Sequence, residues 1–126
     1  MSWESTALYY RLINEETRHK LGGLHSARIV LESLDFQDIE VLQDRGDWAA
    51  AGQLLANAAR RIEAAGADFL LICTNTMHKV ADDVAFAIDI PLLHIADATA
   101  ERIKEAGIDT VGLLGTRFTM EQAFYK

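Results

Sequence analysis

A chain of 126 residues, half of them hydrophobic and a quarter charged, is long enough for one globular domain and too apolar to be disordered. Its net charge of −7 disfavours nucleic acid and anionic membranes as partners, and no apolar run approaches the roughly 20 residues of a membrane span. A single cysteine excludes an internal disulfide and is typical of a reducing compartment, so a cytoplasmic protein is expected.

Apolar periodicity divides the chain into alternating helices and strands. In chain order the predicted elements are a helix over Ser2–Lys20, a strand over Ser26–Ser33, a short helix or turn over Asp35–Gln43, a helix over Trp48–Ala65, a strand over Phe69–Ile72, a helix over Met77–Ile88, a strand over Pro91–Ile95, a helix from Asp97 to Ala106, a strand over Thr110–Gly115 and the start of a helix over Thr116–Lys126. The expected caps are Ser2 or Ser5, Asp47 and Asp97. The alternation predicts a single α/β domain, with a parallel sheet in a three-layer α/β/α arrangement.

The stretch Ala67–Lys79, A-D-F-L-L-I-C-T-N-T-M-H-K, joins a buried strand to a helix through polar residues. Cys73, Thr74, Asn75 and Thr76 follow directly after the apolar run. In open α/β sheets ligands bind at this end of the strands, and the N–H groups of a helix N-terminus favour an anion such as a carboxylate. The stretch is therefore interpreted as half of a site for a small acidic molecule.

Three stretches resemble the aspartate/glutamate racemase family, whose members racemise acidic and related amino acids without pyridoxal phosphate. They are M-S-W-E-S-T at Met1–Thr6, T-N-T-M-H at Thr74–His78 and L-L-G-T-R-F-T-M at Leu113–Met120. The resemblance implies two similar domains with a small amino-acid substrate between them, of which this chain would supply the first. It also implies that no cofactor is needed, because a cysteine from each domain takes or gives the α-proton on opposite faces of the substrate.

The resemblance gives roles to individual residues. The candidates for the catalytic residue are Thr74, which occupies the position of the family's first cysteine, and Cys73, which lies one residue earlier. Neighbours on a strand point to opposite faces, so Thr74, not Cys73, is predicted to face the cleft. A threonine hydroxyl is a poor base, but it can donate or relay a proton. Substrate contacts are expected from Met1, Ser2, Trp3, Gln43, Asn75, Thr76, Thr116 and Thr119, with Asn75 and Thr76 on the α-carboxylate.

The sequence departs from the family pattern in its cysteines and strands. The family's second cysteine, in a G-C-T motif, and a strand ending in Gly-Gly before M-S-W have no counterpart in the 126 residues. The chain resembles a first domain without its first strand, in which residues 110–126 are similar to the start of the second domain. The isolated chain is expected to have negligible racemase activity. Thr110–Gly115 is predicted to pair between Ser26–Ser33 and Phe69–Cys73, within the chain or by exchange in a homodimer.

Two alternatives stay open. The stretch C-T-N-T-M-H-K has a cysteine six residues before a cation, as in a thiol phosphatase loop, although Lys79 lacks the bidentate grip of an arginine. A non-catalytic binding or oligomerisation domain is the second alternative, supported by the missing cysteine. No H-x-x-x-H or C-x-x-C spacing is present, so a metal site is not expected. His78 is expected to have a structural role or to support the site residues, and not to act in catalysis.

Overall fold

The computed structural model describes residues 2–125, which form six α-helices, two short 3₁₀ helices and a small parallel sheet of two strands, β1 and β2. The elements in chain order are α1 (Trp3–Leu21), α2 (Phe36–Arg45), α3 (Trp48–Ala64), β1 (Leu70–Leu71), a 3₁₀ helix (Thr76–Val80), α4 (Ala81–Phe86), β2 (Leu92–Leu93), α5 (Ile95–Glu105), α6 (Arg117–Glu121) and a second 3₁₀ helix (Ala123–Tyr125). The α/β class agrees with the prediction, whereas the three-layer arrangement stays a prediction.

The first three helices begin at residues whose side chains satisfy free backbone N–H groups. Ser2 accepts from the N–H of Ser5, Asp35 from that of Gln37, and Asp47 from that of Ala50. The fifth helix differs from its prediction. α5 begins after His94, whose Nδ1 accepts from the N–H of Ala96, and Asp97 lies inside the first turn. The expectation that Asp97 caps this helix was wrong, because an imidazole nitrogen can accept the same hydrogen bond earlier in the chain.

The sheet is smaller than predicted. Phe69–Ile72 and Pro91–Ile95 each contribute two strand residues, paired in parallel with Leu70 opposite Leu92. Within residues 2–125, neither Ser26–Ser33 nor Thr110–Gly115 forms a strand. The prediction that Thr110–Gly115 fills a place in the sheet of its own chain was therefore wrong. An apolar run becomes a strand only where its backbone finds a partner, and exchange between two copies stays a prediction.

The predicted helix over Met77–Ile88 is divided into a 3₁₀ helix and α4. The N–H of His78 bonds the carbonyl of Asn75 at 3.0 Å, which is the tighter i→i+3 pattern of a 3₁₀ turn. The helix that follows the polar residues is therefore short. A long helix dipole at this place, on which the expected anion site depended, is not formed, so anion binding here depends on individual hydroxyl and N–H groups.

The core lies on α3. Its buried residues include Ala51, Leu55 and Ala59, and they pack with a larger apolar cluster formed by Ile39, Leu70, Ile72, Met77, Val80, Val84 and Ile88. At Gly52 an added Cβ would lie 2.6 Å from Oδ2 of Asp83, so the missing side chain permits close approach of α4. Because Ile72 and Met77 belong to this cluster, the polar turn between them is anchored to the core at both ends. No helix within residues 2–125 is both long and apolar enough to cross a membrane.

Candidate active site

The main chain of the polar turn after β1 is held by hydrogen bonds from several elements. Ser5 Oγ, from α1, donates to the carbonyl of Cys73 at 2.6 Å. The N–H of Thr74 donates to the carbonyl of Ile72 at 2.8 Å, and the Nδ1 of His78 lies 2.7 Å from the carbonyl oxygen of Thr74. Because consecutive peptide groups are bonded, the turn presents its side chains from a defined backbone.

Thr74 and Cys73 are both half-buried in this turn. Burial raises the pKa of the Cys73 thiol, which disfavours the thiolate that proton abstraction or nucleophilic attack requires. That Thr74 faces the cleft stays a prediction. The raised pKa gives Cys73 the character of a buried apolar residue.

Three threonine hydroxyls lie in a chain beside the turn. The Oγ1 atoms of Thr76 and Thr116 are 3.1 Å apart, and those of Thr116 and Thr119 are 3.2 Å apart. Thr76 and Thr119 are 8% and 1% exposed. The fold therefore brings together two motifs that are 40 residues apart in sequence. Hydroxyl groups both donate and accept, so such a chain can turn its donors toward a carboxylate.

An aromatic contact fixes α6 against α3. The rings of Trp48 and Phe118 are 5.2 Å apart at an interplanar angle of 77°, in edge-to-face geometry. The ammonium of Lys79 lies 4.0 Å from the centroid of the Trp48 ring. This contact engages Lys79, the cation that the phosphatase interpretation needs for phosphate. Together with the raised pKa of the Cys73 thiol, it gives that interpretation no support.

Some of the other predicted site residues lie at the polar turn, and others do not. Gln43 donates from Nε2 to the sulfur of Met77 at 3.0 Å, next to Thr76 in the chain. Asn75 is exposed at the surface of the turn. The Ser2 side chain caps α1, and Trp3 is 67% exposed. Met1 lies outside the described residues.

Sequence reasoning treated Ser5 only as a possible helix cap, whereas its hydroxyl bonds the carbonyl of Cys73. The signal was the M-S-W-E-S-T motif itself, in which Ser5 lies one turn after the cap. Among residues 2–125, no group of three or more His, Cys, Asp or Glu side chains is arranged to hold a metal ion. The arrangement offers hydroxyl, amide and backbone donors, which suit a small carboxylate-bearing molecule.

The sequence profile of the Asp/Glu/hydantoin racemases matches residues 1–126. The chain belongs to this family. A crystal structure assigned to the Asp/Glu racemases, from Yersinia pestis, is 63% identical, superposes with a TM-score of 0.94, and is matched over 98% of this chain and 54% of its own. The racemase fold is thus shared.

Two further racemase relatives are more distant. An aspartate racemase homologue from Pyrococcus horikoshii OT3 is 34% identical with a TM-score of 0.76, over 84% of this chain and 46% of its own. The broad specificity amino-acid racemase RacX of Bacillus subtilis (strain 168) is 31% identical over 72 residues, which are 57% of this chain and 31% of RacX. The chain spans about half the length of the two solved racemase relatives.

Proposed function

We propose that this racemase-family chain forms one half of a cofactor-independent site that inverts the α-carbon of aspartate, glutamate or a related small amino acid. The observation that carries the proposal is the chain of hydroxyls formed by Thr76, Thr116 and Thr119 beside the polar turn. It joins the T-N-T-M-H and L-L-G-T-R-F-T-M motifs in a single place.

In this proposal the α-carboxylate is bound by Asn75, Thr76 and the hydroxyls of α6. Racemisation removes the α-proton and leaves negative charge beside the carboxylate, so donors aimed at that charge lower the barrier. The hydroxyls of Thr76 and Thr119 are buried, and hydrogen bonds from buried donors to a carboxylate are stronger than those made in water. The proposal includes further substrate contacts from Met1, Ser2, Trp3 and Gln43.

Thr74 has the proton-transfer role on one face of the substrate. Its hydroxyl donates a proton to the α-carbon, or relays one from water, while a group on the opposite face has already taken the α-proton. The only cysteine among the 126 residues is Cys73, whose pKa burial raises, so no thiolate is available here for that opposite face. We therefore expect the chain by itself to bind the substrate with negligible turnover, which polarimetry of L-aspartate and L-glutamate measures.

Binding is tested by titrating ¹⁵N-labelled protein with L-aspartate or L-glutamate. We expect shifts in the amide signals of residues 74–76 and 116–119, and a loss of affinity of about tenfold in Thr116→Val, equivalent to one hydrogen bond. Thr99→Val is the matched control, because the Thr99 hydroxyl bonds the carbonyl of Ile95 within its own helix, α5. Equal affinities for the two variants, or no binding of any acidic amino acid, would contradict the proposal.

The role of Thr74 is tested by exchange of the α-proton in deuterated water, in a preparation that racemises. Thr74→Cys should raise the exchange rate, because a thiol loses its proton far more readily than a hydroxyl. Thr74→Val should abolish exchange on that face while substrate still binds. An unchanged rate in both variants would remove Thr74 from the reaction.

We further propose a homodimer, in which one copy can offer its exposed Thr110–Gly115 segment to the unpaired sheet edge of the other. Val111 and Leu114 in this segment are 54% and 90% exposed in the single chain. Light scattering measures the oligomeric state. A monomer at all accessible concentrations would rule the exchange out.

A further inference from the structure

His78 is buried beside the residue that the proposal places in the reaction. It is 2% exposed, and its Nδ1 lies 2.7 Å from the carbonyl oxygen of Thr74. A carbonyl oxygen only accepts hydrogen bonds, so this contact requires the imidazole proton to be on Nδ1. Nε2 is then a bare acceptor, and within residues 2–125 this buried nitrogen has no hydrogen-bond partner.

The surroundings of His78 keep its ring neutral. Burial lowers its pKa most, and His94, whose ring centroid is 4.1 Å away, lowers it further. Hydrogen bonds that the ring donates to the backbone at Thr74 and Asn75, and the charge of Asp97, raise the pKa. His94 and Asp97, both on or next to α5, are the titratable groups that act on His78. A proton added at Nε2 would place a charge where no acceptor receives it.

The bond from His78 completes the fixing of Thr74. The N–H of Thr74 is held by the carbonyl of Ile72, and its C=O is held by His78, so the peptide groups on both sides are constrained. These two peptide planes set the direction of the Cα–Cβ bond. Since a β-branched side chain has few rotamers once its backbone is fixed, they also restrict where the hydroxyl can lie.

We propose that His78 is a positioning residue: as a neutral imidazole protonated at Nδ1, it holds the carbonyl of Thr74 and so aims the Thr74 hydroxyl and the following N–H groups at the substrate. The consequence for substrate binding rests on the proposed function. The tautomer of His78 and its hydrogen bond to the Thr74 carbonyl do not depend on the proposed function, so they are measured separately.

The tautomer is measured by NMR of protein labelled with ¹⁵N-histidine. We expect the His78 signals at neutral pH to show a protonated Nδ1 and an unprotonated Nε2, with exposed His19 and His25 supplying reference signals in the same sample. His78 should stay neutral as the pH is lowered below about 6.5, the usual midpoint of a histidine. A proton on Nε2 instead of Nδ1, or a charged ring at neutral pH, would overturn the proposal.

Two substitutions separate positioning from simple filling of space. In His78→Asn the side-chain NH₂ can occupy the place of Nδ1 and cannot titrate, whereas His78→Leu has no donor. We expect the leucine variant to shift the amide signals of residues 74–76 and to bind L-aspartate about tenfold more weakly, with the asparagine variant within about threefold of the native protein. A folded leucine variant with native amide signals at residues 74–76 would overturn the proposal.

Amide signals of α3 report whether each variant folds. If the leucine variant does not fold, the comparison of His78→Asn with the native protein decides: the asparagine variant should keep the native amide signals of residues 74–76 and bind L-aspartate within about threefold of the native protein. Displaced amide signals at residues 74–76 in a folded asparagine variant would overturn the role of His78. If no acidic amino acid binds to either protein, the proposed function fails, while the tautomer and the Thr74 amide signals still test the positioning.

Discussion

Two helices of similar length, α1 and α3, differ in what they bury. In α3, 17 residues long, six residues are buried; in α1, 19 residues long, none is. We call α2, α3, α4, both strands and the first 3₁₀ helix the packed region, and α1 with residues 22–34 and 107–115 the exposed region. An apolar stripe on a helix is therefore buried only where another element packs against it.

The candidate site lies where these regions meet. The polar turn belongs to the packed region, since Met77 and His78 beside it are 1% and 2% exposed. Ser5 reaches this turn from the exposed region. Thr116 reaches it from the residues that follow that region. The packed region gives the site a rigid side, and the exposed region gives it a loosely held side. Such an arrangement can close on a ligand.

The largest effect should come from deleting the same side chain in the two regions. Leu55→Ala, at a site 4% exposed in α3, should lower the free energy of unfolding by about 2–5 kcal/mol, because it leaves a cavity. Leu12→Ala, at a site 49% exposed in α1, should change it by about 0.5 kcal/mol or less. Urea denaturation of both variants measures the difference. Equal losses would show that α1 is as firmly packed as α3.

A smaller effect is expected from the link between α3 and β2. Oε1 of Glu63 accepts from the N–H groups of Asp89 and Ile90, at 2.6 and 3.1 Å. Glu63→Ala leaves both donors without this acceptor and should cost about 1–3 kcal/mol. Glu15→Ala in α1 is the control, since Glu15 is an exposed residue that pairs with Arg11 at 3.9 Å. Equal thermal shifts in the two variants would contradict the prediction.

A third effect depends on pH and should belong to the packed region. The pKa of His78 is lowered in the folded protein, so below the usual histidine pKa the unfolded chain binds more protons than the folded one. Stability from this group is present above about pH 6.5 and is lost as the pH falls toward the lowered value. Unfolding at pH 7.5 and 5.5 should show this loss in the native protein, and less of it in His78→Asn. An equal loss in the variant would assign the pH effect to other groups.

The features that could be predicted from the sequence are those that depend on neighbouring residues. The caps Ser2 and Asp47, and the polar turn around Thr74, follow from residues a few positions apart. Sequence reasoning failed for Thr110–Gly115, because strand formation depends on a pairing partner that no local pattern specifies. The bonds from Ser5 to Cys73 and between Thr76 and Thr116 span 68 and 40 residues. The sequence shows that these side chains can form hydrogen bonds, but not that the fold brings them into contact.

The smallest expected effect tests whether the exposed region is tied to the packed one. Arg61 in α3 donates to both carboxylate oxygens of Glu32, in the extended residues 22–34. Arg61 lowers the pKa of Glu32, so any contribution to stability is present above about pH 4.3 and lost as the pH falls through the lowered value. Both side chains are in contact with water, and salt should screen the pair. Glu32→Gln should therefore lower the melting temperature only slightly, with the difference vanishing at high salt. Glu105→Gln, which breaks the pair with Arg102 inside α5, controls for the loss of a surface charge. A shift as large as that of Leu55→Ala would show that residues 22–34 are an integral part of the packed region.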